Sequence, residues 1–167
     1  MSATPTGRVV ETPGGRDLIL TRTFRAGIED VWASITESER TARWFGPWTG
    51  EAGPGKTVQL TPGFEEGADA ADVVIDECEP PRRLVISMVD ASGTWLLEAE
   101  LSERDGTTEL TFTHHLDEAA DPGSVGPGWE YYLDKLVASR DGSPQPEWDD
   151  YYPAQKEHYE EGSRASD

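Results

Sequence analysis

The sequence has a single cysteine, Cys78, so it contains no internal disulfide and no thiolate metal cage. Only 14 of its 167 residues are lysine or arginine, against 33 aspartates and glutamates, and the net charge is -19. Such a surface repels phosphodiester backbones and anionic lipids, which argues against nucleic acid and membranes as partners. No apolar run approaches the length of a membrane span, and the first residues lack an apolar signal core. We therefore expect a cytoplasmic protein.

The stretch GEAGPGKT, from Gly50 to Thr57, fits the phosphate-loop pattern G-x-x-x-x-G-K-[ST] at every specified position. A working phosphate loop follows a buried strand and opens a helix, whose N-terminus holds the phosphates. Here the chain continues into VQLTPG, which alternates like a strand and contains Pro62. The stretch therefore predicts a turn that leads into a strand, and we expect no specific nucleotide binding.

The hydrophobic pattern predicts a single α+β domain over residues 17–160. Apolar residues at helical spacing indicate a helix starting at Ile28 and a longer helix over residues 128–139, with a second short helix through Arg43. Six extended segments are separated by turn signals, such as Asp-Gly at 105–106, and they indicate a sheet. The connections are too short for crossover helices, so the sheet is antiparallel.

The two ends of the chain differ in composition from this domain. Residues 1–16 are rich in threonine, proline and glycine and are predicted to be a flexible arm, and residues 161–167 a disordered tail. The stretch DEAADPGSVGPG, which precedes the long helix, is typical of a loop.

His114 and His115 are neighbours in the last extended segment. Adjacent residues of a strand point to opposite faces, so the two cannot share a metal ion, and we expect neither a metal site nor a cofactor. Leu110, Phe112 and Leu116 alternate with the polar positions and place His114 on the inward face. Two interpretations of His114 stay open. It is a core histidine satisfied by a hydrogen bond, or a polar group that fixes a ligand in an apolar cavity.

Several motifs are together similar to one family. The segment FRAGIEDVWASITESERTARWFGPW carries a strand end, a helix and an aromatic corner, through Val31, Trp32, Glu39, Arg40, Trp44, Phe45, Gly46 and Pro47. The segment VVIDECEPPRRLVIS contains a hairpin turned by the residues Pro80-Pro81-Arg82-Arg83-Leu84. With TELTFTHHL and GWEYYLDKL, these segments resemble the heat-shock-protein-90 ATPase activator homologue family of the START-like (SRPBCC) superfamily, over roughly residues 17–160.

The resemblance implies a helix-grip fold, in which a curved antiparallel sheet wraps around a long C-terminal helix and two short helices follow the first strand. Members of the superfamily bind lipids, polyketides, hormones or other apolar molecules between sheet and helix, and some act as cyclases. The eukaryotic namesakes stimulate the ATPase of a chaperone, which implies a link to stress response. The family has no invariant catalytic set, so no catalytic residue is assigned here.

We therefore expect an apolar cavity between the sheet and the long helix. Strand alternation and the helical stripe nominate its lining, namely Trp48, Met88, Trp95, Leu97, Phe112, His114, Trp129, Tyr132, Leu133 and Leu136. The leading hypothesis is binding of a small hydrophobic or aromatic ligand without catalysis. One alternative is a cyclase- or hydrolase-type enzyme that uses His114 as acid–base in the same cavity. Another is a protein-interaction module, with a chaperone or a second copy of the chain as partner.

Overall fold

The computed structural model describes residues 5–63, 69–90, 93–117 and 120–164. Within these ranges the strands are β1 (Arg8–Thr12), β2 (Gly15–Phe24), β3 (Trp48–Thr49), β4 (Thr57–Leu60), β5 (Ala71–Glu79), β6 (Arg83–Asp90), β7 (Gly93–Arg104) and β8 (Thr107–Leu116). The helices are α1 (Ile28–Thr36), α2 (Ser38–Thr41), α3 (Pro122–Asp141) and α4 (Lys156–Arg164), with a single 3-10 turn at Trp148–Asp150.

The strands form one antiparallel sheet in the order β1-β2-β8-β7-β6-β5-β4-β3. Antiparallel pairing is what the short connections predict. At the turn between β7 and β8, Asp105 and Gly106 have φ angles of 52° and 78°. Positive φ at both central residues is what a tight two-residue hairpin turn requires, so the Asp-Gly signal is confirmed.

The core lies between one face of the sheet and α3. Residues of β8 alternate strictly, with Leu110, Phe112, His114 and Leu116 buried on the side that faces α3. From α3, Leu133 and Leu136 pack into the same core with 1% and 0% of their surface exposed. The predicted helix-grip fold, a curved antiparallel sheet around a long C-terminal helix with two short helices, is confirmed. None of the described helices has the length and apolar character needed to cross a membrane.

The long helix begins six residues earlier than the sequence pattern predicts. Asp121 caps it by accepting a hydrogen bond from the Gly123 N–H at 3.0 Å, and Pro122 occupies the first turn. The glycines of this stretch serve packing, because a Cβ on Gly126 would lie 2.4 Å from the Tyr159 ring of α4. The loop prediction was wrong for residues 122–128, where the small residues form the first turns of α3 and accommodate a neighbouring helix.

Both predicted flexible ends contain regular structure. β1 lies within the predicted arm and pairs with β2, and α4 continues to Arg164 within the predicted tail. β1 contributes Val9 to the core, with 9% of its surface exposed, and α4 contributes Tyr159, which precedes the predicted tail and is 1% exposed. Residues 1–4 and 165–167 lie outside the described residues.

The stretch that matches the phosphate-loop pattern connects β3 to β4. Thr57 begins a strand, as predicted, and the Gly55 N–H donates to the Ile75 carbonyl oxygen of β5 at 2.7 Å. The glycines therefore belong to the end of the sheet rather than to the start of a helix.

Glu130 is a charged residue of α3 with only 1% of its surface exposed. Its carboxylate accepts hydrogen bonds from the N–H and hydroxyl of Thr6, the N–H of Gly7 and the hydroxyl of Tyr159. Arg22 Nη2 lies 2.9 Å from Glu130 Oε1 and compensates the charge. One carboxylate thus joins the N-terminal segment, β2, α3 and α4. Burial raises its pKa, but the hydrogen bonds from Thr6, Tyr159 and Arg22 outweigh burial and hold the pKa below its usual 4.5.

We expect Glu130→Gln to lower the free energy of unfolding by about 3 kcal/mol at pH 7, because the substitution removes the buried negative charge that pairs with the Arg22 guanidinium. Arg22 then keeps its ion pair with Asp134, whose side chain is 36% exposed. Urea unfolding measures this loss. The pKa is lower in the folded state, so the stabilisation is present above pH 4.5 and is lost as the pH falls further. The difference between wild type and variant should therefore shrink on acidification.

The matched control is Glu109→Gln, since Glu109 is exposed on β8 and has no side-chain partner among the described residues. Equal losses in the two variants would contradict a special role for the buried carboxylate.

Candidate functional site

Two indole rings fasten the segment after α2 to the last turn of α1. Trp44 Nε1 donates to the Ser34 carbonyl oxygen at 2.9 Å, and Trp48 Nε1 donates to the Thr36 carbonyl oxygen at 2.8 Å. Carbonyls in the last turn of a helix lack intrahelical partners, so these bonds satisfy acceptors that α1 leaves open. Between the two anchors lies Phe45, which packs against the core.

An apolar chamber of about 190 Å³ lies between this segment and the inner face of the sheet. Its walls include Ile35, Trp48, Val58, Ile86, Phe112 and Leu133. An apolar cavity of roughly 150 Å³ is large enough to bind benzene. The chamber therefore has room for an apolar group of one or two rings.

A second and larger cavity, the outer cleft, has a volume of about 890 Å³. Its lining mixes aromatic and polar side chains and includes Trp95, His114, Asp117, Ser124, Tyr131 and Trp148. Trp148 is 41% exposed at this cleft, so a broad aromatic surface faces solvent. The cleft offers both flat apolar contact area and hydrogen-bonding groups.

Three residues, Phe45, Met88 and Trp129, line both cavities and form the wall between them. The Phe45 ring is stacked on the Trp129 ring, with centroids 6.0 Å apart and planes inclined by 14°. Phe112 packs against the same indole at 4.5 Å. Trp129 is therefore the central residue of the wall and contacts both the sheet and the segment after α2.

The wall residue Trp129 also fixes the state of His114, which is 1% exposed. Trp129 Nε1 lies 3.1 Å from His114 Nδ1. An indole N–H can only donate, so Nδ1 accepts and the neutral ring carries its proton on Nε2. Trp95 stacks on the His114 ring with centroids 4.9 Å apart. Because His114 lines the outer cleft, its Nε2–H is a fixed donor within that cavity.

Burial lowers the pKa of His114 to about 4, and the nearby His115 adds to this effect. The ring is therefore neutral at pH 7. A group with a pKa near 4 is a weak base at neutral pH, and its Nδ1 lone pair already accepts the indole proton. The geometry makes His114 a hydrogen-bond donor rather than an acid–base group.

His115 lies on the opposite face of β8, as the strand pattern predicts. Its Nδ1 is 2.8 Å from Asp17 Oδ1, and its Nε2 is 3.0 Å from Glu98 Oε2. Partial burial disfavours the charged ring, but the hydrogen bonds to Glu98 and Asp17 raise the pKa of His115 above 6.5. Within the described residues, no three metal-binding side chains come together in a cluster.

The structure brings nine of the ten predicted lining residues to the two cavities. Trp48, Leu97, Phe112 and Leu133 line the chamber; Trp95, His114 and Tyr132 line the outer cleft; and Met88 and Trp129 line both. Leu136 lines neither, because it is 0% exposed and packs within the core. The helical stripe identifies the face of α3 correctly but not the depth at which each residue lies.

Sequence reasoning assigned no role in the site to Phe45. This residue lies between α2 and β3 in a segment without periodic pattern, so neither strand alternation nor a helical stripe identifies it. Its signal in the sequence is the aromatic corner Trp-Phe-Gly-Pro, which carries the family resemblance but does not indicate which of its rings faces a cavity.

The fold and its cavities define a helix-grip domain with an internal chamber. Residues 25–139 match the sequence profile of the family described as Activator of Hsp90 ATPase homolog 1-like protein. This match spans more than half of the chain, and the chain belongs to that family. The resemblance drawn from the aromatic corner and the long helix is confirmed. No curated protein gives a significant sequence match.

Solved structures share this fold along nearly the whole chain. The crystal structure of CalU16 from Micromonospora echinospora is 27% identical, with a TM-score of 0.75 over 98% of this chain and 99% of that one. The solution structure of CalU16 is 26% identical, with a TM-score of 0.76 and full coverage of both chains. The protein encoded by gene BPP1335 from Bordetella parapertussis is 24% identical, with a TM-score of 0.72 over 95% of this chain and 92% of that one. This last likeness concerns the fold alone.

The two adjacent histidines should titrate on opposite sides of pH 6.5. As the pH is lowered, we expect the His115 ring to become protonated with a midpoint above pH 6.5. The His114 ring should stay neutral, with its proton on Nε2, down to a pH of about 4. Long-range ¹H–¹⁵N NMR of the imidazole rings measures both the tautomer and the titration. Protonation of His114 near pH 6.5, or a proton on its Nδ1, would contradict the geometry described above.

Proposed function

We propose that the protein binds a small, neutral, apolar or aromatic molecule in the two cavities beside Trp129. The observation that carries this proposal is an apolar chamber that shares a wall with a wider cleft, in which His114 Nε2 presents a fixed donor. Binding sites for small molecules combine apolar walls with a few convergent polar groups. Membership of the Hsp90 ATPase activator homologue-like family, within a superfamily of cavity-binding proteins, is consistent with this function.

The sizes of the two cavities indicate where the parts of such a ligand would bind. The chamber accommodates one or two rings, and anything larger must extend past Phe45 into the outer cleft. There, Trp95 and Tyr132 offer aromatic surface, and the N–H of His114 suits a carbonyl, ether or hydroxyl oxygen. The carboxylates of Asp69, Asp117 and Asp121 line the outer cleft and disfavour an anionic ligand there.

The two alternative functions receive less support from the geometry. An enzyme that uses His114 as a base needs an accessible lone pair and a pKa near neutrality, and His114 has neither. A module that acts only through its surface has no need of an unfilled interior, whereas this domain contains an apolar chamber of about 190 Å³. The geometry therefore favours binding of a small molecule in the cavities over both alternatives.

Filling the chamber should weaken ligand binding. Ala99 lines the chamber on β7, opposite Phe112 in the strand register. We expect Ala99→Phe to weaken the binding of the neutral fluorescent probe N-phenyl-1-naphthylamine at least tenfold, which corresponds to about 1.4 kcal/mol. The measurement is a fluorescence titration of the folded protein, with Ala99→Leu as a smaller filling substitution.

The control is Ser102→Phe, which adds the same ring at an exposed position of β7. This variant should bind the probe as the wild type does. Unchanged affinity in folded Ala99→Phe would rule out the chamber as the binding site.

The donor in the outer cleft should favour ligands that carry an oxygen acceptor. We expect 9-fluorenone to bind more tightly than fluorene, since the two differ in one carbonyl group, and one hydrogen bond contributes roughly 1 kcal/mol. In His114→Asn this preference should disappear, because an asparagine oxygen can replace Nδ1 as acceptor for Trp129 while the Nε2 donor is lost. Competition with the fluorescent probe measures both affinities.

His114→Gln serves as the rescue variant, because its amide nitrogen reaches approximately the position of the lost Nε2 donor. It should restore part of the preference for fluorenone. If His114→Asn keeps the full preference, the Nε2–H does not contact the carbonyl.

A further inference from the structure

A polar pocket of about 210 Å³ lies where α1, α2 and the end of α3 meet. It is lined by Asp30, Ser34, Arg40, Arg43, Ser139 and Arg140, and we call it the arginine pocket. It shares no lining residue with the apolar chamber or the outer cleft. It therefore belongs to neither of the cavities discussed above.

The charge of the arginine pocket is opposite to that of the chain. Its lining side chains carry three guanidinium groups and one carboxylate, an excess of two positive charges in a protein of net charge -19. Outside the lining, the carboxylate of Glu37 also attracts Arg40. Asp30 lies 2.7 Å from Arg40 Nη1 and 2.7 Å from Arg140 Nη2. Hydrogen bonds from Arg140 and Arg40 lower the pKa of Asp30 to about 2, so the carboxylate stays ionised. It positions two arginines without neutralising the pocket.

Several donors in this pocket are uncommitted. Toward the described residues, Arg40 donates side-chain hydrogen bonds only through Nη1, which leaves Nε and Nη2 available to a ligand or solvent. The guanidinium of Arg43 has no hydrogen-bond or ion-pair partner among the described residues. Arg140 is 16% exposed and is held by Asp30 and Ser34, so one face of the pocket is rigid. A guanidinium fork matches the oxygens of a phosphate in a bidentate geometry.

We propose that the arginine pocket binds a single phosphate group, as inorganic phosphate or as the phosphate of a small phosphomonoester. Size and charge argue for a compact oxyanion. The pocket of about 210 Å³ holds one such group, while a longer polyanion would meet the repulsion of the acidic surface around it. The excess of two positive charges matches a dianion.

The arginine pocket also adjoins the wall of the chamber that is formed by α1 and the segment after α2, which we call the roof. Ile35 and Trp44 of the roof line the chamber, and Asp30 and Arg43 of the roof line the arginine pocket. A phosphate held by Arg43 and Arg140 would connect this roof to the end of α3. Binding should therefore raise the melting temperature of the domain.

The experiment is a titration of the full chain with sodium phosphate at pH 8, against sodium chloride at equal ionic strength. Isothermal calorimetry and the melting temperature are the two readouts. We expect saturable phosphate binding that chloride does not reproduce. Arg43→Gln should weaken it at least tenfold, and Ser139→Glu should abolish it by adding a carboxylate to the pocket.

Arg104→Gln is the matched control, since Arg104 is 93% exposed at the turn between β7 and β8 and does not line the arginine pocket. It should bind phosphate as the wild type does. Ala99→Phe should also retain phosphate binding, which separates this site from the chamber. Phenyl phosphate distinguishes the sources: tighter binding than inorganic phosphate identifies a phosphomonoester site, and equal binding a free phosphate site.

Two results would overturn the proposal. The first is phosphate affinity no greater than that of chloride at matched ionic strength. The second is an equal loss of affinity in Arg43→Gln and Arg104→Gln, which would indicate a general effect of charge rather than a site.

Discussion

The buried carboxylate of Glu130 is the constraint on which the rest of the structure depends. A charge this deep is tolerated only when its oxygens are fully hydrogen-bonded and its charge is paired. Thr6, Tyr159 and Arg22 meet that demand from three separate parts of the chain. Because successive helical residues differ by about 100° in direction, a glutamate held toward β2 and α4 fixes the rotation of α3. The neighbouring residue, Trp129, is thereby turned toward β8.

The geometry of the candidate site follows from the direction of Trp129. A buried indole N–H needs an acceptor, and His114 provides it from the inward face of β8. This one bond explains a histidine in an otherwise apolar row, fixes its tautomer and leaves Nε2–H facing the cleft. Phe45 stacks on the same indole and Phe112 packs against it at a tilt, so the wall between the cavities is built around a single ring.

The hydrophobic periodicity of the sequence predicts which residues of a strand or helix face the core. Strand alternation places Phe112 and His114 on the inward face, and the helical stripe identifies the buried face of α3. The features that this periodicity does not predict depend on contacts between segments that are distant in the sequence. α4 and the first turns of α3 are held by the packing of Tyr159 against Gly126, which no local propensity records. A helical stripe also does not indicate how deeply each of its residues is buried. It therefore could not show that Leu136 packs in the core rather than lining a cavity.

The roof of the chamber is positioned by two kinds of contact that end on the same helix. At one side, Phe45 stacks on Trp129; at the other, Asp30 is paired with Arg140 at the last turn of α3. The stacking is apolar and insensitive to salt, whereas the ion pair is partly exposed and is screened as ionic strength rises. α1 is in addition anchored by Val31, which is 0% exposed in the core, and by the hydrogen bonds that its carbonyls accept from Trp44 and Trp48. A weakened ion pair would therefore remove the polar contact between α1 and α3 and leave the apolar lining of the chamber in place.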